Sequence, residues 1–548
     1  MAQAPVLLLA SILLVPVVGG EAAATDSAVP LFEGLGGFSR PVTTTSAEAQ
    51  RYFDQGLAFL YAFNHDEAIR AFRRAAELDP SCAMAFWGIA VAHGPHINNP
   101  VVPPERAKAA WEALGRARTL AGGAPPVERA LIDALAARYA DPPPEDRRPL
   151  DQAYADAMRS VYRAHPKDAD VGALFAEALA DLRPWDLWRP DGTPQPGTEE
   201  LVATLEAVLA VAPTHPLANH MLIHALEASP RPEKADRAAD VLRDLQPGLG
   251  HLVHMPSHVD VRRGRWQQAI DANVKAIAAD RGYTARVPNQ GFYRLYLAHN
   301  HHMLTYGAMM TGQSALALRA IREMVADIPL EFFRANAFAD GFMAMPLEVL
   351  MRFGRWDEVL AEAEFPEFVP LSRAVQRYAR AVAHAARGDL ASAEKEQAAF
   401  LEARARVPKE ATFGNNPGGA VLDVAESFMR GEILFRTGKV DEGLALLREA
   451  ADREDALRYN EPADWIQPVR HALGAALLQA GRFAEAEEVF RADLVKLPEN
   501  GWGLYGLSRA LALQRKGAEA RAVEKRFDAV WREADIGIKS ACLCLPGV

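Results

Sequence analysis

Apolar and small side chains recur along most of the chain at spacings of three and four residues, which is the spacing of one face of an α-helix. The segments 64–80, 264–280, 438–450 and 481–498 share one plan: a turn residue, then a large residue, then a small residue three positions later. Strand-like alternation of polar and apolar residues is nearly absent. The pattern therefore predicts an all-α chain built from pairs of helices.

This plan resembles the second half of the tetratricopeptide repeat, a helix–turn–helix unit of about 34 residues. The resemblance runs from about residue 47 to 535 and implies a right-handed solenoid of roughly nine to eleven helical hairpins. The stretches ANHMLIHALEAS and GHLVHMPSH also resemble a family of exported bacterial tetratricopeptide proteins, and no activity is carried over from that family. The segments 97–126, 141–149, 183–198 and 405–420 interrupt the repeats and are predicted as loops.

The N-terminus is typical of a secretory signal peptide. An apolar run from Val6 to Val18 precedes three alanines at 22–24, although no lysine or arginine stands before the run. An uncleaved anchor is the alternative, but the run is short for a membrane span. We therefore expect a mature protein of the periplasm or the exterior.

The chain is divided by these signals into six parts. They are a signal peptide (1–24), a linker (25–46), N-terminal repeats (47–213), histidine-rich repeats (214–331), C-terminal repeats (332–535) and a tail (536–548).

The overall composition is that of an ordinary globular chain, with 548 residues, 50% hydrophobic residues and a net charge of −11. The acidic balance argues against a nucleic-acid or anionic-membrane partner. The three cysteines cannot organise a chain of this size. Cys82 stands alone, while Cys542 and Cys544 form a CxC that is compatible with a disulfide, a thiol metal ligand or an inert tail.

Histidines concentrate at one set of positions when the repeats are aligned without reference to histidine. Pro213 and Pro247, 34 residues apart, end successive helices, and three repeats then start at 216, 250 and 298. In tetratricopeptide proteins the second, fifth and ninth residues of the first helix face the concave groove. Seven of these nine positions are histidine, where about 0.25 would be expected from 15 histidines in 548 residues. They are His220, His224, His251, His254, His258, His299 and His302.

Three adjacent helices with histidines in register predict a metal site on the groove wall. A polar peptide-binding groove and a coincidence of register are the alternatives. Imidazole suits copper, zinc and iron, and several histidines without thiolates in an exported chain favour copper. Seven ligands exceed the needs of one ion, so two or three ions are expected.

Other groove-facing residues are candidates for supporting roles. Glu227 is a candidate ligand or base, and Tyr306 a candidate redox or proton-donating partner. Glu177 and Asp181 are candidates to orient the ligating imidazoles. Pro256 lies between His254 and His258 and should kink the helix beneath them or make it start late.

Two further features of this region each allow two interpretations. The insertion 182–192, with Trp185 and Trp188, is either a packed loop or a wall over the site. Arg262 is either a solvated helix end or a cation that binds an anionic substrate.

The sequence therefore favours a copper-dependent oxidoreductase that acts on a small molecule or peptide in the groove. A non-catalytic scaffold for a peptide or protein partner and a protein that sequesters or delivers metal are the alternatives. No nucleic-acid partner and no membrane span after cleavage are expected.

Overall fold

The computed structural model describes residues 29–288 and 291–545, and the predicted signal peptide 1–24 lies outside the described residues. The predicted all-α solenoid is confirmed: twenty-six α-helices and one short β-hairpin account for the regular structure within these ranges apart from brief 3-10 turns and isolated β-bridges. Successive helices pack against each other along the chain.

The elements follow in chain order. The helices of the first half are α1 (Ala47–Tyr61), α2 (His65–Leu78), α3 (Ala83–Ala92), α4 (Pro104–Leu120), α5 (Pro126–Leu135), α6 (Arg148–Ala164), α7 (Ala169–Ala180), α8 (Thr198–Val211), α9 (Pro216–Leu226), α10 (Asp236–Leu245), α11 (Gly250–His254), α12 (Pro256–Arg262) and α13 (Trp266–Thr284).

The second half continues with α14 (Arg294–Met310), α15 (Ser314–Asp327), α16 (Leu330–Ala335), α17 (Met345–Arg352), α18 (Trp356–Ala361), α19 (Pro370–Ala386), α20 (Leu390–Arg404), β1 (Thr412–Phe413), β2 (Asn416–Pro417), α21 (Gly418–Arg436), α22 (Val440–Asp455), α23 (Val469–Gln479), α24 (Phe483–Lys496), α25 (Gly501–Leu513) and α26 (Gly517–Val530). The two strands pair antiparallel.

The turn glycines of the repeat plan have the backbone conformation that such a turn requires. Gly264 has a φ of 71° and Gly481 a φ of 74°, in the left-handed region where residues with a Cβ are strained. At Gly264 a Cβ would also lie 2.6 Å from the carbonyl oxygen of Pro498. This glycine therefore serves both the turn and a close approach of the C-terminal repeats.

Apolar side chains form two cores. The first draws on residues from Tyr52 to Tyr296 and the second on residues from Val261 to Leu545. They overlap within the predicted histidine-rich segment 214–331, so this segment lies where the two cores meet. The predicted boundaries at 213 and 331 stay predictions.

Two segments are more ordered than the sequence predicted. The insertion 97–126 contains the helices α4 and the beginning of α5, because alanines such as Ala110 and Ala117 give it a buried face. The described part of the linker 25–46 packs onto the repeats. There Arg40 forms ion pairs of 2.9 and 2.8 Å with Asp168 and Asp170 at the start of α7.

The late helix start predicted at Pro256 is confirmed. Helix α11 ends at His254, Met255 lies between the helices, and Pro256 is the first residue of α12. Proline is tolerated at this first position because its missing N–H would have no helical partner there.

Among the described residues, every helix is too short or too polar to serve as a candidate membrane span.

Candidate metal centre

Six of the seven predicted histidines converge in two compact groups. Triad A comprises His220 and His224 from α9 and His251 from α11. Triad B comprises His254 from α11, His258 from α12 and His299 from α14. Within each triad the candidate ligand atoms all lie within 4.8 Å of one another.

In triad A, the Nε2 atoms of two of the three histidines face each other. The Nε2 atoms of His220 and His251 are 3.1 Å apart. The Nδ1 of His220 lies 2.8 Å from the carbonyl oxygen of Tyr61, which can only accept, so this Nδ1 carries the proton. The Nδ1 of His224 is 2.8 Å from Glu227 Oε1, and the buried Nε2 of His224 has no hydrogen-bond partner among the described residues.

Triad B repeats this arrangement. The Nε2 atoms of His254 and His258 are 2.7 Å apart, and that of His299 is 3.4 Å from His258 Nε2. The Nδ1 of His254 lies 2.7 Å from Asn273 Oδ1. The amide of Asn273 is fixed in this orientation because its Nδ2 donates to the carbonyl of Ala269 at 2.8 Å.

Glu227 joins the two triads. One carboxylate oxygen accepts from the Nδ1 of His224 and the other from the Nδ1 of His258. Although burial raises the pKa of a carboxyl, the facing imidazoles of His258 and His224 hold the pKa of Glu227 at about 2. An anionic Glu227 that accepts two N–H groups orients both rings, and its oxygens are poorly placed to serve as a base.

Four of the six triad imidazoles have pKa values that favour the neutral form, which is the form that binds metal ions. Burial, reinforced by neighbouring imidazoles, lowers the pKa of His220, His251, His254 and His299 well below the usual value. His258 differs: burial lowers its pKa, but the carboxylate of Glu227 outweighs this and raises it.

The seventh predicted ligand, His302, belongs to neither triad. It lies about one turn beyond His299, and its buried Nε2 has no hydrogen-bond partner in the described ranges. Burial lowers the pKa of His302 to about 4.

The predicted orienting role of Glu177 and Asp181 stays a prediction. Asp181 is paired with the buried guanidinium of Arg138. No hydrogen bond in the described ranges joins Glu177 or Asp181 to an imidazole of either triad. Burial and the charge of Asp181 raise the pKa of Glu177 to about 8, although Arg138 opposes the shift.

The sequence did not predict the hydrogen-bond acceptors that orient the histidine rings. It also did not predict a buried carboxyl group that lies near them. Tyr61 contributes only its backbone carbonyl to triad A. Every residue type has this group, so the sequence cannot reveal its role. Asn273 lies on the second helix of its repeat, off the predicted groove face. Glu461, between α22 and α23, is buried and accepts from the hydroxyl of Tyr459 at 2.7 Å. Burial raises the pKa of Glu461 to about 7, although His258 opposes the shift.

Two cavities open beside the triads. The larger, about 580 Å³, reaches triad A at His224 and is lined also by Trp188, Tyr306 and Arg262. The smaller, about 240 Å³, reaches triad B at His299 and is also lined by His302. Trp185 and Glu461 line both cavities. The insertion 182–192 therefore forms part of a wall beside triad A.

The comparisons with known proteins bear on the fold. Residues 49–82 match the family model of the tetratricopeptide repeat, so the predicted resemblance is confirmed in this segment. No curated protein matches the chain.

Similar solved structures include a human IFIT1 dimer with m7Gppp-AAAA, at 12% identity and a TM-score of 0.34, covering 89% of this chain and 91% of that one. The APC/C hetero-tetramer Cut9–Hcn1 is similar at 12% identity and a TM-score of 0.30, covering 89% and 76%. Similarity at this level carries no argument about function.

Proposed function

We propose that this chain is a tetratricopeptide-type scaffold that holds two metal ions, copper by preference, and that this centre carries out an oxidoreductase reaction. The observation that carries the proposal is the convergence of three imidazoles in each of triad A and triad B, with their ligand atoms within 4.8 Å of one another. Four of the six rings have their Nδ1 atoms engaged by oxygen acceptors, which leaves the Nε2 lone pairs for an ion.

The contact between His254 and His258 supports a cation most directly. Both Nδ1 atoms face acceptors, so in the neutral rings both Nε2 atoms carry lone pairs, and they lie 2.7 Å apart. Two lone pairs at this distance repel each other unless a proton or a metal ion lies between them. Metal–nitrogen distances of about 2.0–2.1 Å would be reached from this arrangement with small side-chain movements.

Three imidazoles for each ion suit a reactive centre better than a structural one. Structural zinc sites use four protein ligands, whereas catalytic sites use three and keep a position open for water or substrate. The two cavities are lined by His224 and His299, so water or substrate could reach an open metal position through them. The neutral nitrogen donors, without thiolate or carboxylate, favour copper over iron, and copper binds more tightly than zinc to comparable sites.

Zinc-dependent hydrolysis is a second candidate, because three imidazoles and an open position suit zinc as well. A scaffold that binds a peptide or protein partner, or that sequesters or delivers metal without turnover, would use the same groove. Metal identity and turnover separate these functions.

Metal content tests the proposal directly. We expect about two ions per chain after reconstitution, measured by mass spectrometry of the elements, and copper to displace zinc in competition. His258→Ala should retain the ion of triad A and lose that of triad B. His384→Ala, a substitution at a partly exposed histidine remote from the triads in sequence, is the matched control and should bind both ions.

The proposed metal centre would be overturned if the wild-type chain took up no ion. It would also be overturned if the His258→Ala variant bound as many ions per chain as the control. Oxygen consumption by the copper-loaded chain, tested over phenols, amines and thiols, then separates turnover from storage. Paramagnetic resonance would reveal whether the two copper ions are coupled.

A further inference from the structure

The C-terminal CxC is buried against the second core rather than lying free. Cys542 and Cys544 are 7% and 2% exposed and form a disulfide. Leu543 between them lies against Gly354, and the carbonyl of Cys544 accepts from Arg436 at the end of α21. The tail is therefore an ordered part of the fold, and it packs on α21.

Glu432, one turn before Arg436 on α21, faces the two sulfur atoms. Its side chain is completely buried, and neither carboxyl oxygen has a hydrogen-bond partner among the described residues. Buried carboxyls nearly always have such partners, because losing hydration without compensation is costly. Arg436 does not supply one, since its guanidinium is directed at the carbonyl of Cys544. The unsatisfied carboxyl thus points to a ligand.

We infer that the reduced tail binds one borderline-soft divalent ion of the zinc class through the Sγ atoms of Cys542 and Cys544 and the carboxylate of Glu432. One oxygen of Glu432 and the two sulfur atoms lie within 4.8 Å of one another. Zinc takes thiolate and carboxylate ligands together and prefers four positions, so water would complete the set. The ion would also compensate the buried negative charges, beside which Arg436 is the nearby cation among the described residues.

Access to this site depends on the redox state of the tail. A dithiol reductant would transfer two electrons and two protons to the disulfide, giving two thiols, while the reductant itself becomes a disulfide. Binding of the ion then releases the thiol protons. Formation of the Cys542–Cys544 bond removes both thiolates, so oxidation and metal binding exclude each other.

This site is independent of triad A and triad B. The triads contain no sulfur, and the third cysteine, Cys82, is buried in the first core. Cobalt(II) is a probe that distinguishes the two kinds of site. Thiolate ligands give it a strong near-ultraviolet charge-transfer band, and imidazole ligands do not. The outcome therefore does not depend on whether the histidines bind metal.

The full chain is titrated with cobalt(II) after reduction with a phosphine and, in parallel, in the oxidised form. We expect the thiolate band of the reduced chain to reach a plateau with the intensity of one ion bound by two thiolates, and to be absent from the oxidised chain. Cys82→Ser should leave the band unchanged, Cys542→Ser/Cys544→Ser should abolish it, and Glu432→Gln should weaken binding at least tenfold.

Absence of the band from the reduced wild-type chain would overturn the inference whether or not the variants fold. So would a band that survives in Cys542→Ser/Cys544→Ser, because Cys82 would then be the ligand. Unchanged affinity in Glu432→Gln would remove the carboxylate from the site.

Discussion

At the scale of single residues, Asn273 shows how the fold fixes the orientation of an imidazole. Its amide donates to the carbonyl of Ala269 and accepts from the Nδ1 of His254, so it fixes both the tautomer and the direction of that ring. Glu227 does the same for His224 and His258. Such oxygen acceptors raise the basicity of the ligating nitrogen and restrict ring rotation.

Asn273→Ala is therefore expected to weaken metal binding at triad B by about 10–100-fold, because His254 loses the acceptor that orients it. Asn273→Asp keeps an oxygen acceptor and should bind far more tightly than the alanine variant. Affinities are measured by competition with a chelator, and circular dichroism checks that both variants fold. Equal affinity in wild type and Asn273→Ala would contradict an orienting role.

The histidines of the site were predictable from register, whereas their partners were not. His220, His254 and His299 stand at fixed positions in consecutive repeats, so helical spacing alone brings their elements together. The carbonyl of Tyr61 and the side chain of Glu461 come from distant parts of the chain. Their approach depends on how the two cores meet, which repeat spacing does not determine.

At the scale of elements, the repeats pack closely because small residues face large rings. Phe490 on α24 is completely buried between two glycines, Gly474 on α23 and Gly506 on α25. A Cβ added at Gly474 would lie 2.3 Å from the Cζ of Phe490. The neighbouring helices therefore approach along their glycine faces, as the repeat plan predicted for small residues.

Gly474→Ala should consequently lower the free energy of unfolding by about 1–3 kcal/mol through overpacking. Gly115→Ala is the matched control, since Gly115 lies exposed within α4 and an added Cβ would meet nothing within 4 Å. That control should stabilise the chain by about 0.5–1 kcal/mol, because alanine favours the helix. Urea denaturation measures both. Destabilisation of similar size in the two variants would point to backbone effects and contradict the packing argument.

At the scale of the whole molecule, the segments between repeats complete the site. Glu461 and Tyr459, between α22 and α23, reach the histidines of α9 and α12, although more than 200 positions separate Glu461 from His258 in the sequence. The solenoid was predictable from hydrophobic spacing. The helix α4 within 97–126 was not, because proline and glycine at both ends of that segment resemble loop composition.

The acidic chain also buries several carboxyls away from compensating charge, and these should make its stability depend on pH. Burial, with a contribution from the charge of Asp464, raises the pKa of Glu348 on α17 to about 8. Because folding raises this pKa, the stabilisation is fully present below the pKa of the unfolded chain and is lost as pH rises through about 8. Between these limits one such group lowers the free energy of unfolding by up to about 1.4 kcal/mol per pH unit.

Glu348→Gln stays neutral, so its free energy of unfolding should fall less than that of the wild type between roughly pH 5.5 and roughly pH 7.5 in urea denaturation. Glu442→Gln, at an exposed position on α22, is the control and should follow the wild type. If Glu348→Gln and wild type lose stability in parallel over this range, the proton on Glu348 is not the source of the dependence.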